Sequence, residues 1–284
     1  MKRFLLSTMT AFAAILGTAA AQEGIDREKF DQFIKDFRSE AVANGVSTAT
    51  YTREMASVTP VPVVIKRNNN QPEFSRPVWS YLETAVSDAR IANGLNSTSA
   101  RAATLDAIET KYGVDREIIG AIWGLESSYG AIMGDHDILS ALTTLAYDGR
   151  RQSFGRSQLI GALKIIDNGY ARRDQLKGSW AGAMGQTQFI PTTYLGYAVD
   201  ENGDGLRDLW SDHSDIFAST ANYLNRSGYK ADQPWGFEVQ LPADFDYSQA
   251  NLGTRKSVAQ WSQLGVTLPK GSLGKKADLN AEAS

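Results

Sequence analysis

One stretch constrains this chain more than any other: Val114–Gly130, VDREIIGAIWGLESSYG, which sets a single carboxylate, Glu126, on an otherwise apolar helical face. Ile118, Ile119, Ile122 and Glu126 recur at the spacing that stacks side chains along one side of a helix. Asp115 stands where it can cap the first free amides, and Gly130 where a helix can stop. A glutamate on the greasy side is costly to ionise, so its pKa should rise and it can hold a proton near neutrality. That is what a general acid for glycoside cleavage requires. The plain alternative is a partly exposed glutamate at a helix end.

The first residues read as a targeting segment. Lys2 and Arg3 are followed by a short apolar run from Phe4 to about Ala14 and by Ala19-Ala20-Ala21, an A-x-A cleavage site. The expected division is therefore a signal peptide over 1–21 and a mature region from about Gln22 to Ser284, since the apolar run is too short for a committed span. The chain has 284 residues and no cysteine. A chain this long can bury an adequate core without disulfides. A bacterial lipoprotein needs a cysteine at its new N-terminus, so no lipid anchor is expected, and the destination is a soluble periplasmic one. Removing Lys2 and Arg3 from 29 basic residues leaves 27 against 32 acidic. With no basic stripe, nothing speaks for a nucleic-acid partner.

Helical periodicity runs through much of the mature chain. Gly24–Val42 puts Phe30, Phe33, Ile34, Phe37 and Ala41 on one face. From Thr48 to Pro77 the pattern fades among Pro60, Pro62, Pro72 and Pro77, which predicts a long irregular stretch, with Val61–Ile65 as a short strand. Helical patterns resume at Trp79–Asn93, Ala100–Tyr112, the Glu126 stretch, Ile138–Ala146, Arg156–Gly169 and Ile216–Ser227, then Ser257–Leu264. Leu268–Ser284 is polar and reads as a frayed end. The fold class is mainly α with at most a minor sheet.

Two further segments carry chemistry. In Ser179–Tyr194, SWAGAMGQTQFIPTTY, Ala181, Gly182, Ala183 and Gly185 let backbone approach a ligand closely. Gln186 and Gln188 add amides that can donate to and accept from a sugar acetamido group, and Pro191 opens a following helix. No Gly-Lys-Ser/Thr follows, so this is not a phosphate loop; a tight helix-connecting turn is the bland alternative. The other segment runs from Asp200 to Asp208. Asp200, Asn202 and Asp204 at loop positions 1, 3 and 5, a glycine at 6 and the Leu206 carbonyl at 7 match the start of an EF-hand calcium loop. Position 12 is Ser211, so Asp212 or Asp215 would have to close the sphere. An all-oxygen set argues against zinc or copper. The two histidines, His136 and His213, lie in polar surroundings and read as solvated; no nucleophile elbow accompanies them.

With ESSYG, AGAMGQTQFIPTTY and DxNxDGxxDLW in that order, the chain resembles the lytic murein transglycosylase B family, a lysozyme-like group of bacterial cell-wall enzymes. The resemblance runs from Gln71-Pro72-Glu73-Phe74 to Gly228, through Val78-Trp79, Tyr147–Arg151 and Ala221-Asn222-Tyr223. It implies a lysozyme-like core and cleavage of the β-1,4 bond between N-acetylmuramic acid and N-acetylglucosamine without water. Glu126 would be the acid/base, and the substrate's own acetamido group would stabilise the anomeric centre. By the same carry-over Ser179 would orient Glu126, Gln188 would bind the acetamido or carbonyl group, and Tyr223 and Phe154 would line the sugar groove. Asp200, Asn202, Asp204, the Leu206 carbonyl and Asp215 would hold a structural calcium ion outside the chemistry. The implied partners are peptidoglycan glycan strands, with room for a cell-wall enzyme complex.

Members of the family usually continue with an aromatic-rich Tyr-Asn-x-Ser-x-x-Tyr-Ala segment that this sequence lacks. Asp135, Asp137 and Asp148 lie close enough in sequence to leave a two-carboxylate hydrolase, a muramidase, open beside the transglycosylase. A non-catalytic peptidoglycan-binding module is the rival from another class; a pure binder has no need of a buried acid.

Overall fold

The computed structural model describes residues 25–70, 77–231, 236 and 238–268, with the backbone of 282–283. The expected export signal and Gln71–Phe74 lie outside the described residues. The chain begins with α1 (Arg27–Ala43), which Asp26 caps by accepting the Lys29 amide. Its buried Phe30, Phe37 and Ala41, with Phe33 and Ile34 packed beside them, form the face that the spacing predicts.

The stretch expected to be irregular holds two helices instead, α2 (Thr48–Met55) and α3 (Pro62–Asn69). Each is only eight residues long, so each offers barely two apolar repeats to a periodicity argument. Tyr51 and Met55 are buried on α2, and Val64 and Asn68 on α3. Pro62 is the first residue of α3, where a missing N–H costs nothing, and Val61–Ile65 is accordingly not a strand. The single pattern over Trp79–Asn93 is likewise two helices, α4 (Val78–Ala85) and α5 (Asp88–Ser99), with Ser87 at the start of the second.

Next come α6 (Ala102–Tyr112), α7 (Arg116–Ser127), α8 (Ile138–Asp148) and α9 (Gln152–Asp167). Then follow α10 (Pro191–Tyr197), α11 (His213–Arg226) and α12 (Val258–Gln263). Among the described residues four two-residue strands make two antiparallel pairs. In the first, β1 (His136–Asp137) faces β2 (Lys177–Gly178); in the second, β3 (Lys256–Ser257) faces β4 (Glu282–Ala283). This is the mainly helical fold with a minor sheet. Of the end expected to fray, Glu282–Ala283 form that second pairing, and residues 269–281 and 284 lie outside the described residues.

Among the described residues two main hydrophobic cores, with a small third one around Val64, organise the elements. The larger gathers α1, α2, α8 and α9 with Met184, Phe189, Tyr194 and Leu209 from later in the chain. α8 is buried from Ile138 to Ala146, the central helix of that core. The smaller joins α6, α7 and α11 through Leu105, Ile119, Trp123, Ile216 and Phe217.

At the C-terminal end of α7 the backbone turns sharply: Ser128, Tyr129 and Gly130 take φ of 52°, 61° and 86°. The helix thus ends at Ser127, with Ser128 rather than Gly130 as its left-handed cap. A left-handed conformation costs a non-glycine residue about 1–3 kcal/mol, and the packing of Tyr129 holds it there. Its ring stands edge-on to Trp123 and its hydroxyl donates to the Arg90 carbonyl at 3.1 Å, while Arg90 donates to the Gly124 carbonyl at 2.8 Å. A Cβ on Gly124 would come within 2.5 Å of that ring. Gly124→Ala should therefore lower the melting temperature, by about 1–3 kcal/mol of stability as an overpacked contact; an unchanged melting curve would mean that Tyr129 has room to shift.

Candidate active site

Glu126 lies one residue before the end of α7, beside rather than on its buried face. That face is Ile119, Gly120, Trp123, Gly124 and Ser127; Ile118 and Ile122 are half-buried and Glu126 is exposed. The three- and four-residue spacing drew the stripe one position too far round, because Trp123 and the two glycines, not the isoleucines alone, make the closest packing. Asp115 occupies the N-cap position without a side-chain bond to the helix. Burial of the Glu126 carboxyl end nonetheless pushes its pKa above the ordinary glutamate range, by the desolvation argued from the sequence. Among the described residues no side chain donates to it.

The 178–189 segment packs on this helix end and on the loop that follows it. Trp123 Nε1–H donates to Gln186 Oε1 at 2.6 Å in a buried bond. Gln188 Nε2 donates to the Met133 carbonyl at 3.1 Å and to the Gly185 carbonyl at 2.8 Å. Gly134 lies so close to Gly178 that a Cβ would come within 2.4 Å of its carbonyl oxygen. Gln186 is therefore a buried strut and not the sugar-facing amide that composition suggests. Gln188, in the left-handed region at φ 52°, spends its amide protons on the Met133 and Gly185 carbonyls, and among the described residues its Oε1 accepts no hydrogen bond. Ser179 accepts the amides of Ala181 at 3.3 Å and Ala183 at 3.0 Å, and these, not Glu126, are its hydrogen-bond partners.

Aromatic residues flank the segment. Tyr223 is 39% exposed on α11 and meets Phe189 and Tyr197 edge-on. Phe154 and Trp180 pack together on a small core of Val64, Ala141 and Leu145, and the Arg151 guanidinium lies 4.3 Å from the Phe154 ring centroid. Trp180 and Phe189 were not singled out from sequence; each adjoins a residue that was, Ser179 and Gln188, and adjacency is the signal that could have found them. His213 is a correction: it opens α11 and packs edge-on against Trp123, and burial pushes its pKa down.

Of the three carboxylates left open as a second catalytic group, two are occupied structurally. Asp137 caps α8 through the Ser140 amide and pairs with Arg173. Asp148 accepts from Asn68 at 3.2 Å. The third, Asp135, is exposed.

The 200–215 loop is folded on its own backbone. Asp200 accepts the amides of Gly203, Asp204 and Gly205, and Asp204 that of Leu206. Ser211 donates to Asp208, and Asp212 caps α11. Asp215 is fully buried, takes the Glu201 and Asp208 amides at 2.7 and 2.8 Å, and has its pKa raised by burial. Among the described residues no three acidic or histidine side chains converge as a metal-binding group.

The model of the transglycosylase SLT domain matches residues 29–284. The chain belongs to this family. It is 35% identical over 200 residues to the membrane-bound lytic murein transglycosylase B of Escherichia coli, 68% of this chain and 53% of the relative; it spans about half the length of that protein. SltB3 from Pseudomonas aeruginosa, solved in complex with NAG-anhNAM-pentapeptide, superposes with a TM-score of 0.83 at 47% identity, covering 90% of this chain and 68% of that one. The E. coli lytic transglycosylase Slt35, solved in complex with calcium, matches with a TM-score of 0.73 at 28% identity over 91% and 80% of the two chains. The mainly helical fold is thus that of the lytic transglycosylases. Among the described residues no helix is long and apolar enough to cross a membrane.

A carboxyl whose folded pKa is raised binds its proton more tightly in the native state, so its contribution to stability is full below the unfolded pKa and is lost as pH rises through the folded one. Glu126→Gln should then gain in melting temperature relative to the parent between acid and neutral pH. A carbon-13 titration should put the Glu126 midpoint above that of an unstructured glutamate; equal midpoints would remove the desolvation argument.

Proposed function

We propose that the chain is a periplasmic lytic transglycosylase that cleaves the MurNAc-β-1,4-GlcNAc bond of peptidoglycan and leaves 1,6-anhydroMurNAc ends. The observation that carries the reading is the carboxyl of Glu126, its pKa raised by burial, at a strained helix end locked to a glycine-rich segment. Glu126 donates its proton to the departing glycosidic oxygen. The resulting carboxylate then takes the proton of the muramoyl C6 hydroxyl as that oxygen bonds to C1, which closes the anhydro ring and restores the acid. The anhydro sugar in the SltB3 complex is the kind of end this closure leaves.

The hydrolytic alternative needs a second carboxylate, and the engagement of Asp137 and Asp148 elsewhere weighs against it. Ser179 accepts two amides and so retains its hydroxyl proton, which it can present to Glu126. The free Oε1 of Gln188 suits the N–H of a sugar acetamido group, and Tyr223 and Phe154 supply ring faces to the glycan. Incubation with purified sacculi and mass spectrometry of the released muropeptides tests this. Anhydro products are expected, and products heavier by one water would make the protein a muramidase. Glu126→Gln should cut the rate by at least ~10²–10⁴ with folding retained; comparable release would remove Glu126 from the role.

We also propose that Asp200, Asn202, Asp204, the Leu206 carbonyl and Asp215 take a structural calcium ion, as the calcium-bound Slt35 suggests. Their all-oxygen chemistry fits the ion. Asp215 is a fully buried carboxylate with no cationic side chain on it among the described residues, which is the environment a divalent cation compensates. The ion would stiffen the loop and take no part in proton transfer. Calcium should raise the melting temperature, by roughly 2.7 kcal/mol of stability at a hundredfold excess over Kd, with magnesium weaker. Asp200→Ala combined with Asp204→Ala should abolish the response. A melting curve of metal-free protein that ignores calcium would sink the site.

A further inference from the structure

We propose that Gln186 is a positioning residue for Glu126, setting the acid's place relative to the sugar-binding segment by contacting α7 before it and the turn that follows the helix after it. The inference rests on the transglycosylase reading but concerns a residue which that reading does not use. Gln186 is 6% exposed. Its Oε1 accepts the indole N–H of Trp123, three residues before Glu126, at 2.6 Å, and its Nε2 donates to the Trp210 carbonyl at 2.8 Å. Its backbone amide donates to the Leu209 carbonyl at 2.8 Å. Four residues after Glu126, Gly130 lies against the same carboxamide, where an added Cβ would come within 2.4 Å of Oε1.

The turn that carries Glu126 is therefore bracketed at Trp123 and at Gly130 by one side chain. That side chain is in turn fixed to Leu209 and Trp210. Only a group that accepts on one side and donates on the other satisfies both buried partners, and glutamine does so without charge. The bond also crosses between the two cores, since Trp123 belongs to the smaller and Leu209 to the larger. Releasing it would let α7 and the 178–189 segment slide against each other. A misplacement of about 1 Å can cost on the order of 10²-fold in rate.

The test compares Gln186→Met, Trp123→Phe, the double variant and Gln186→Glu on soluble peptidoglycan fragments. Gln186→Met should lower kcat on the order of 10²-fold while KM stays within roughly threefold, because ground-state binding is untouched. Trp123→Phe should do likewise, and the double variant should lose no more than the worse single one. Gln186→Glu keeps the acceptor for Trp123 and should recover part of kcat. It should also move the alkaline limb of the pH profile upward, since a second carboxylate near Glu126 disfavours its ionisation.

A folded Gln186→Met protein with parental kcat, a loss confined to KM, or additive single losses would each overturn the inference. If Gln186→Met fails to fold, Trp123→Phe and Gln186→Glu carry the same outcomes. Absence of product from the unmutated chain would count against the transglycosylase reading alone. The inference is then decided by the carbon-13 titration of Glu126, whose midpoint should fall toward the ordinary value in Trp123→Phe and stay put if Gln186 does not position it.

Discussion

The buried bond from the Trp123 indole to the Gln186 carboxamide is the constraint on which the site depends. A neutral hydrogen bond of this kind adds about 1 kcal/mol net, yet leaving either partner unmet in the interior costs about 1–3 kcal/mol. Its weight thus lies in what it forbids. The smaller core around α6, α7 and α11 and the larger core around α8 and α9 could be packed at many relative offsets by apolar contacts alone, which are non-directional. One donor meeting one acceptor selects a single offset, and Glu126 inherits it.

Around that bond the backbone is held in conformations that it would not choose unaided. Ser128 and Tyr129 stand in the left-handed region because the Tyr129 ring is pinned against Gly124 and Trp123 and its hydroxyl reaches Arg90. The consequence is an abrupt end to α7 that leaves Glu126 on the last turn, open to a ligand yet partly out of water. The acid/base role proposed for it needs both together: full burial would keep a substrate away, and full hydration would leave the proton too easily lost near neutrality.

The acidic loop belongs to the same assembly. Asp215, beneath it, fixes the amides of Glu201 and Asp208, and Asp208 in turn accepts the Trp210 amide at 2.8 Å. The carbonyls of Leu209 and Trp210 are the partners of Gln186. Whatever stiffens the loop therefore stiffens the support of α7, which gives a loop remote from the chemistry a structural reason to accompany it.

Much of this was legible along the chain. The face of α1, the start of α10 at Pro191 and the glycine-rich segment follow from local spacing and from residues that fill one role each, and the family from the resemblance of three motifs in fixed order. The short helices α2 and α3 were not legible, because eight residues carry too few apolar repeats to outweigh neighbouring prolines. Nor was the division of labour between the two glutamines, since Gln186 and Gln188 are the same side chain two positions apart. Sequence alone determined that a carboxylate sits near the end of a helix and that small residues and amides lie downstream of it. Only the tertiary structure decided that Glu126 stands beside the buried face, that Gln186 turns inward while Gln188 keeps a free oxygen, and that Asp137 and Asp148 are engaged elsewhere. The physical reason is that hydrogen-bond partners and desolvation are set by groups tens of residues away, such as the 63 positions between Trp123 and Gln186, and no local periodicity carries that information.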